Sequence, residues 1–162
     1  SSSTSASNPK ADASGLALQL HHLGCLVRSI AAGISSLGGA LSSGPPSSPI
    51  RISSQRATVC FLPMSTGIFV ELVEPDPDNK LLLRMLHDGV TFYHLGFLCR
   101  DIRATEAAQV SAGAHVLTRF SSEAFEDREC VFLLNAEGQM IELIDAPPPS
   151  AGRTSDSGFA LF

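Results

Sequence analysis

Apolar positions between residues 18 and 146 fall in short blocks, mostly six to ten residues long, separated by turn-forming residues. Blocks of that length suit strands better than buried helices. Leu18 to Val27 is an apolar run carrying two histidines. Ala57 to Pro63 and Gly67 to Val73 flank Met64-Ser65-Thr66, a hairpin spacing. Phe92 to Cys99 forms another run. Glu129 to Asn135 and Gln139 to Ile144 flank Ala136-Glu137-Gly138, and His115 opens a further short strand. Three stretches read as helices: Ser29 to Leu37, Asn79 to His87, and Ile102 to Ala112, the last capped by Asp101 and stopped before Gly113. The order predicts an α+β domain of two successive βαβββ modules. The short hairpin loops argue against a parallel α/β sheet, whose strands need long crossovers.

The modules are expected over 18–78 and 90–146, joined by a helical linker. Residues 1–17 are small and polar and are predicted to be disordered. Residues 147–162 open with three prolines and read as a flexible tail. Ser42 to Pro49 is a Ser/Gly/Pro loop within the domain.

The two modules repeat each other in sequence. His21-His22-Leu-Gly-Cys-Leu-Val-Arg28 matches Tyr93-His94-Leu-Gly-Phe-Leu-Cys-Arg100 at a shift of 72 residues, and Phe69-Val-Glu71-Leu-Val73 matches Met140-Ile-Glu142-Leu-Ile144 at 71. Each half thus contributes one histidine from its first strand and one glutamate from its last. Alternation places Glu71 on the face of Phe69 and Val73, and it flanks Glu142 with apolar residues as well. An ionised carboxylate in such surroundings is costly unless a cation or donor answers it. A twofold relation between the halves would gather His22, Glu71, His94 and Glu142 at one point. That set is a mixed nitrogen and oxygen site for a divalent first-row metal. Singly, a strand histidine beside a glycine is more often a packed residue than a ligand; the repetition of the whole set carries the argument.

Charge narrows the function classes. Eleven basic residues against sixteen acidic ones give a net charge of -5, where a nucleic-acid partner calls for a basic face. No apolar run approaches the roughly 18–20 residues of a membrane span. The four cysteines, at 25, 60, 99 and 130, form no C-x-x-C pair and sit among apolar neighbours. They are expected to be reduced core thiols, and the expected location is the cytoplasm. A start at Ser1 leaves room for an N-terminal address already removed.

The segments His22-Leu-Gly-Cys-Leu-Val-Arg28, Val70-Glu-Leu-Val-Glu-Pro75, Tyr93-His-Leu-Gly-Phe97 and Ile141-Glu-Leu-Ile144 resemble the signatures of the vicinal oxygen chelate superfamily, over about residues 18–146. The resemblance implies a rolled eight-stranded mixed sheet around a central site, with His22, Glu71, His94 and Glu142 as ligands of one divalent ion (Co, Mn, Ni, Zn or Fe). Within the superfamily the layout is most similar to the methylmalonyl-CoA epimerases. It implies abstraction of an α-proton from an acyl-CoA or related thioester, with Glu142 serving also as the base and a homodimer as a possible assembly. Ser54, Gln55 and Arg56 are the expected substrate-binding residues. Ser54 stands where the epimerases carry a second catalytic glutamate, and a hydroxyl is a poor base unaided. The first helix, rich in Gly and Ser, is expected to be loose and to leave a wide mouth.

Other positions carry weaker expectations. His21 and Tyr93 precede ligand candidates, so alternation assigns them to the opposite face, His21 as a surface residue or one supporting the ligand from behind, and Tyr93 as a packing residue. Ser54 and Gln55 should point to opposite sides, one of them into the cavity. Arg51 and Arg56 are placed at the rim, able to meet a phosphate or carboxylate. His87 reads as a helix C-terminal residue favoured by the macrodipole, and His115 is given no role. Glu123, Glu126, Asp127 and Glu129 form an acidic loop, either a solvated edge or a flap over the site. A lactoylglutathione lyase-like enzyme, a biosynthetic enzyme of the same fold, and a small-molecule binding or resistance protein remain as alternative functions. An extradiol dioxygenase fits less well, because its facial triad has no place for a second carboxylate.

Overall fold

The computed structural model describes residues 18–64 and 67–146. The predicted terminal segments 1–17 and 147–162, and positions 65 and 66 of the first hairpin turn, lie outside the described residues. Eight strands form one sheet: β1 (Leu18–Leu26), β2 (Ile50–Ile52), β3 (Ala57–Pro63), β4 (Phe69–Pro75), β5 (Phe92–Cys99), β6 (His115–Ser122), β7 (Arg128–Leu134) and β8 (Met140–Asp145). Three helices accompany them: α1 (Ile30–Leu37), α2 (Lys80–His87) and α3 (Ile102–Ser111). The strand order is β2-β3-β4-β1-β5-β8-β7-β6. Pairs β1/β4 and β5/β8 are parallel, and the modules join through the antiparallel pair β1/β5. The mixed sheet curls into a half-barrel, as expected for two βαβββ units.

The caps explain where the helices begin. Ser29, Asn79 and Asp101 each accept a hydrogen bond from a first-turn backbone N–H. Glu74, at the end of β4, also accepts from the Ile30 N–H at 2.7 Å, which ties α1 to its own module. Helix α1 packs on the convex face against Cys25, Cys60, Leu62, Val70 and Leu72. Its Gly33 permits this approach, since a Cβ there would lie 2.9 Å from both Leu72 Cδ1 and Val27 Cγ1. Helix α3 covers the equivalent face of the second module over Cys99, Val131, Leu133 and Leu143. The expectation that α1 shapes the mouth is therefore corrected: α1 lies behind the sheet. The linker helix α2 instead sets Leu82, Met85 and Leu86 against the concave core. Among the described residues no helix is long and apolar enough to cross a membrane. All four cysteines are free and buried.

A further difference from the sequence reading concerns a turn. Ser53–Gln55 is a 3-10 turn, not the extended segment that opposite-facing Ser54 and Gln55 would require, closed by Arg56 at φ 48°. The acidic segment is tied to its neighbours at Glu123 and Glu129. Glu123 lies in the matching 3-10 turn (Glu123–Phe125) and accepts the Ser53 N–H at 3.1 Å, bridging the far ends of the two modules. Glu129 pairs with Arg103 and Arg119.

A candidate metal centre at the module interface

The register of four central strands builds the site. Across β4, β1, β5 and β8, one row reads Glu71, Gly24, His94, Met140, and the next reads Phe69, His22, Gly96, Glu142. The rows are related by the internal repeat. The His-Leu-Gly motif thereby acquires a reciprocal meaning, because each histidine faces the other module's glycine. A Cβ on Gly96 would lie 2.1 Å from His22 Cε1, and one on Gly24 would lie 2.0 Å from His94 Cε1. Each imidazole fills the space that only glycine leaves.

The four side chains converge. His22 Nε2 lies 3.0 Å from His94 Nε2, 3.0 Å from Glu142 Oε2 and 3.3 Å from Glu71 Oε2. His94 Nε2 lies 3.2 Å from each of the two carboxylates. All four donor atoms fall within 4.8 Å of one another, and all four residues are buried. Ligands about 2.0–2.2 Å from a shared ion are themselves about 3 Å apart when adjacent, so the set fits a single divalent cation. Charge points the same way. Two buried carboxylates with two neutral imidazoles carry two uncompensated negative charges, which a divalent ion cancels.

Without a metal, protons perform that neutralisation. Burial opposes a charged imidazole at His22, yet the carboxylates of Glu71 and Glu142 override it and push His22 up to about 10. His94 is raised by the same carboxylates against the same burial. Burial pushes Glu71 and Glu142 upward, but the two imidazoles outweigh it and hold both below the ordinary carboxylate range. Burial, with the nearby carboxylates, keeps the Tyr93 phenol neutral well above its usual range.

A cavity of about 450 Å³ opens onto the centre, with Glu71, His94 and Glu142 at its floor. Its walls are largely apolar, including Val73, Leu82, Met85, Phe120, Phe132 and Met140. Ser54, Gln55 and Arg56 all line it. The expected alternation of Ser54 and Gln55 fails because a 3-10 turn, unlike a strand, does not send successive residues to opposite faces. The rim arginines are already engaged by the linker: Arg51 pairs with Asp76 at 2.6 Å, and Arg56 donates to the Asp78 carbonyl at 3.3 Å.

The inward orientation of two further residues at the centre differs from the sequence reading. The β1/β5 register slips between Leu20 and His22 and again between Gly24 and Cys25. At the first slip His21 is the extra residue, and at the second it is Tyr93, at corresponding places in the repeat. A bulge lets two consecutive residues face one way, so the assignment of His21 and Tyr93 to the opposite face is corrected. His21 is 2% exposed, its Nδ1 2.9 Å from His22 Nδ1, among the rings of Phe61, Phe69 and Phe125. Tyr93 lines the cavity beside His94. The paired histidines His21-His22 were the available signal. His87 ends α2 beside Asp88, and His115 starts β6 in an exposed position.

The family description "Glyoxalase/Bleomycin resistance protein/Dioxygenase superfamily" matches residues 21–132. Among curated protein sequences none matches this chain. Solved structures share the fold at low identity. A hypothetical protein from Bacillus halodurans C-125 superposes with a TM-score of 0.68 at 18% identity, covering 83% of this chain and 99% of its own. Methylmalonyl-CoA epimerase from Mycobacterium tuberculosis gives 0.66 at 19%, covering 80% and 88%. A variant of Streptomyces coelicolor methylmalonyl-CoA epimerase, in complex with 2-nitronate-propionyl-CoA, gives 0.64 at 18%, covering 80% and 97%.

Proposed function

The chain belongs to the glyoxalase/bleomycin resistance protein/dioxygenase superfamily, and on that premise we propose that it is a metal-dependent isomerase that removes a proton α to a carbonyl, with an acyl thioester as substrate class. The observation that carries this reading is the convergence of His22, Glu71, His94 and Glu142 at the floor of an apolar cavity. A divalent ion held by these four residues supplies a Lewis acid that acidifies the α-proton of a neighbouring carbonyl. Cobalt, manganese, nickel, zinc and iron all suit the donor set.

The chain's own residues do the rest. Glu142 is the proposed base. Its cross-strand neighbour Phe132 lines the cavity, whereas the corresponding neighbour of Glu71, Phe61, is fully buried. A substrate carbon entering the cavity therefore meets Glu142 on the more open flank. The apolar walls exclude water and strengthen the electrostatic interactions of the centre. Ser54 and Gln55 offer a hydroxyl and an amide to orient substrate oxygens, and Arg56 offers a cation once released from Asp78.

A second reading is favoured by Ser54. Among the described residues, the cavity lining contains no carboxylate besides the two candidate ligands, so a proton moved by one base between adjacent carbons, as in lactoylglutathione lyase-like chemistry, fits as well as a two-base epimerisation. Heavy water separates the readings. Protein loaded with cobalt or manganese is expected to exchange deuterium into the α-position of methylmalonyl-CoA, and Glu142→Gln to abolish it. Turnover of the glutathione–methylglyoxal hemithioacetal without thioester exchange would select the second reading. Metal binding with neither activity would replace both with a binding protein.

A further inference from the structure

Metal-ligating histidines almost always donate their second ring N–H to an acceptor that fixes tautomer and ring orientation. The two candidate histidines differ in this respect. His94 Nδ1 is buried with no hydrogen-bond partner. His22 Nδ1 has one, His21 Nδ1 at 2.9 Å, supplied from the residue that the β1 bulge turns inward. Rings of Phe61, Phe69 and Phe125 hold that imidazole in place.

We infer that His21 is a positioning residue for the metal centre, accepting the His22 Nδ1–H and thereby reserving the His22 Nε2 lone pair for the ion. This rests on the metal-centre reading above. The logic is one of proton placement. His22 Nε2 faces the other three donor atoms and must be bare to bind a cation, so the single ring proton of neutral His22 belongs on Nδ1. At 2.9 Å only one of the two facing Nδ1 atoms can carry a proton, and His21 is therefore the acceptor, its own proton on Nε2. The internal repeat marks this as a feature of one module, because the matching position holds Tyr93, which provides no acceptor to His94 Nδ1. His22 is the better-held of the two imidazole ligands.

Three proteins test the inference: wild type, His21→Phe, which keeps an aromatic ring among the phenylalanines but removes the acceptor, and His21→Asn, whose side-chain oxygen can take the place of Nδ1. Affinity for Co(II) and Zn(II) is measured by chelator competition, alongside the Co(II) absorption spectrum and the thermal unfolding of each metal-free protein. Loss of such an outer partner costs about 10–100-fold in metal affinity. His21→Phe is expected to lose that much and to alter the cobalt spectrum, and His21→Asn to stay within a few-fold of wild type. Equal affinity of His21→Phe and wild type would overturn the inference while leaving the metal centre intact. So would equal losses in the Phe and Asn variants with unchanged metal-free stability. Failure of wild type to bind any divalent ion would overturn the metal-centre reading and this inference with it. Nitrogen-15 spectra of the zinc-loaded wild type give a check that needs no variant: His22 should carry its proton on Nδ1, and a proton on Nε2 would refute the assignment.

Discussion

The two modules repeat the same ligands in the same register, yet the space beside those ligands is treated oppositely. On the first module's side, His21, Phe61, Phe69 and Phe125 fill the region next to Glu71 and His22, and Phe61, Phe125 and His22 are each no more than 1% exposed. On the second module's side, the corresponding positions Tyr93, Phe132 and Met140 line the cavity. The 3-10 turns cross between the two flanks, the first module's reaching the cavity and the second module's reaching the packed side. One ends on Gln55, at the cavity wall, and the other on the buried Phe125. A symmetric set of four donors needs only the central strands, whereas access needs one flank of the centre to give up its packing. One flank of the centre serves as foundation and the other as entrance, and each draws residues from both modules.

The largest expected effect of breaking this contrast is on stability. Phe61→Ala removes a fully buried ring and should cost about 3–5 kcal/mol, enough to threaten a domain whose total stability is of the order of 5–15 kcal/mol. Phe132→Ala removes a ring already facing open space and should cost no more than about half as much. Denaturant unfolding of the metal-free proteins measures both. Equal losses would mean that the cavity side is packed as tightly as the other.

The ligands themselves should behave symmetrically for binding and asymmetrically for chemistry. Four-ligand structural zinc sites gain about 10–16 kcal/mol, so Glu71→Ala or Glu142→Ala should each lower metal affinity on the order of a hundredfold to a thousandfold. Calorimetric titration with Zn(II) or Co(II) checks the equality. With metal restored by excess, α-proton exchange should return in Glu71→Ala but not in Glu142→Ala. Recovery in both would transfer the base role away from Glu142.

The plan shared by the two modules was legible in the sequence, the contrast between them was not, and the limits have physical reasons. The repeat exposed the module plan and the four converging polar positions, because strand alternation and the His-x-Gly spacing survive in the primary structure. The inward turn of His21 and Tyr93 did not, since a bulge shifts register by one residue without an obligatory sequence mark. The engagement of Glu123 with Ser53 was equally hidden. It depends on sheet curvature bringing residues 70 apart in sequence into contact. The role of α1 was misread because its composition speaks of looseness, while Gly33 in fact serves close packing on the convex face.

A smaller effect follows from the protons that occupy the centre without metal. The raised value at His22, near 10, means that this imidazole is charged at neutral pH and must lose a proton before Nε2 binds an ion, and the carboxylates shift His94 in the same direction. Metal affinity should therefore rise with pH between about 6 and 9, about tenfold per unit for each proton expelled. For the metal-free fold the signs are distinct. The contribution of raised His22 is complete below its unfolded value of 6.5 and fades as pH rises through about 10. That of the lowered Glu71 and Glu142 is present above 4.5 and fades in acid. Isothermal titration in buffers of different ionisation enthalpy counts the protons released. A count of zero would mean the imidazoles are neutral before the metal arrives.

The smallest effect separates entrance from scaffold by a single helix cap. Asn79 accepts the Leu82 N–H at 3.2 Å to start α2, and its amide also donates to the Gln55 and Arg56 carbonyls at 3.0 and 3.2 Å. Asp101 accepts the Ala104 N–H at 2.9 Å to start α3 behind the sheet. Removing either cap with alanine should cost about 1 kcal/mol. Only Asn79→Ala also severs the tie between the linker helix and the turn carrying Ser54, Gln55 and Arg56, because Asn79 spans the two and is itself buried. Hydrogen exchange should then report faster opening at residues 53–56 in Asn79→Ala and unchanged protection there in Asp101→Ala. If the cavity wall loosens equally in both, the mouth is held by the sheet as a whole, and α2 is only a connection between the modules.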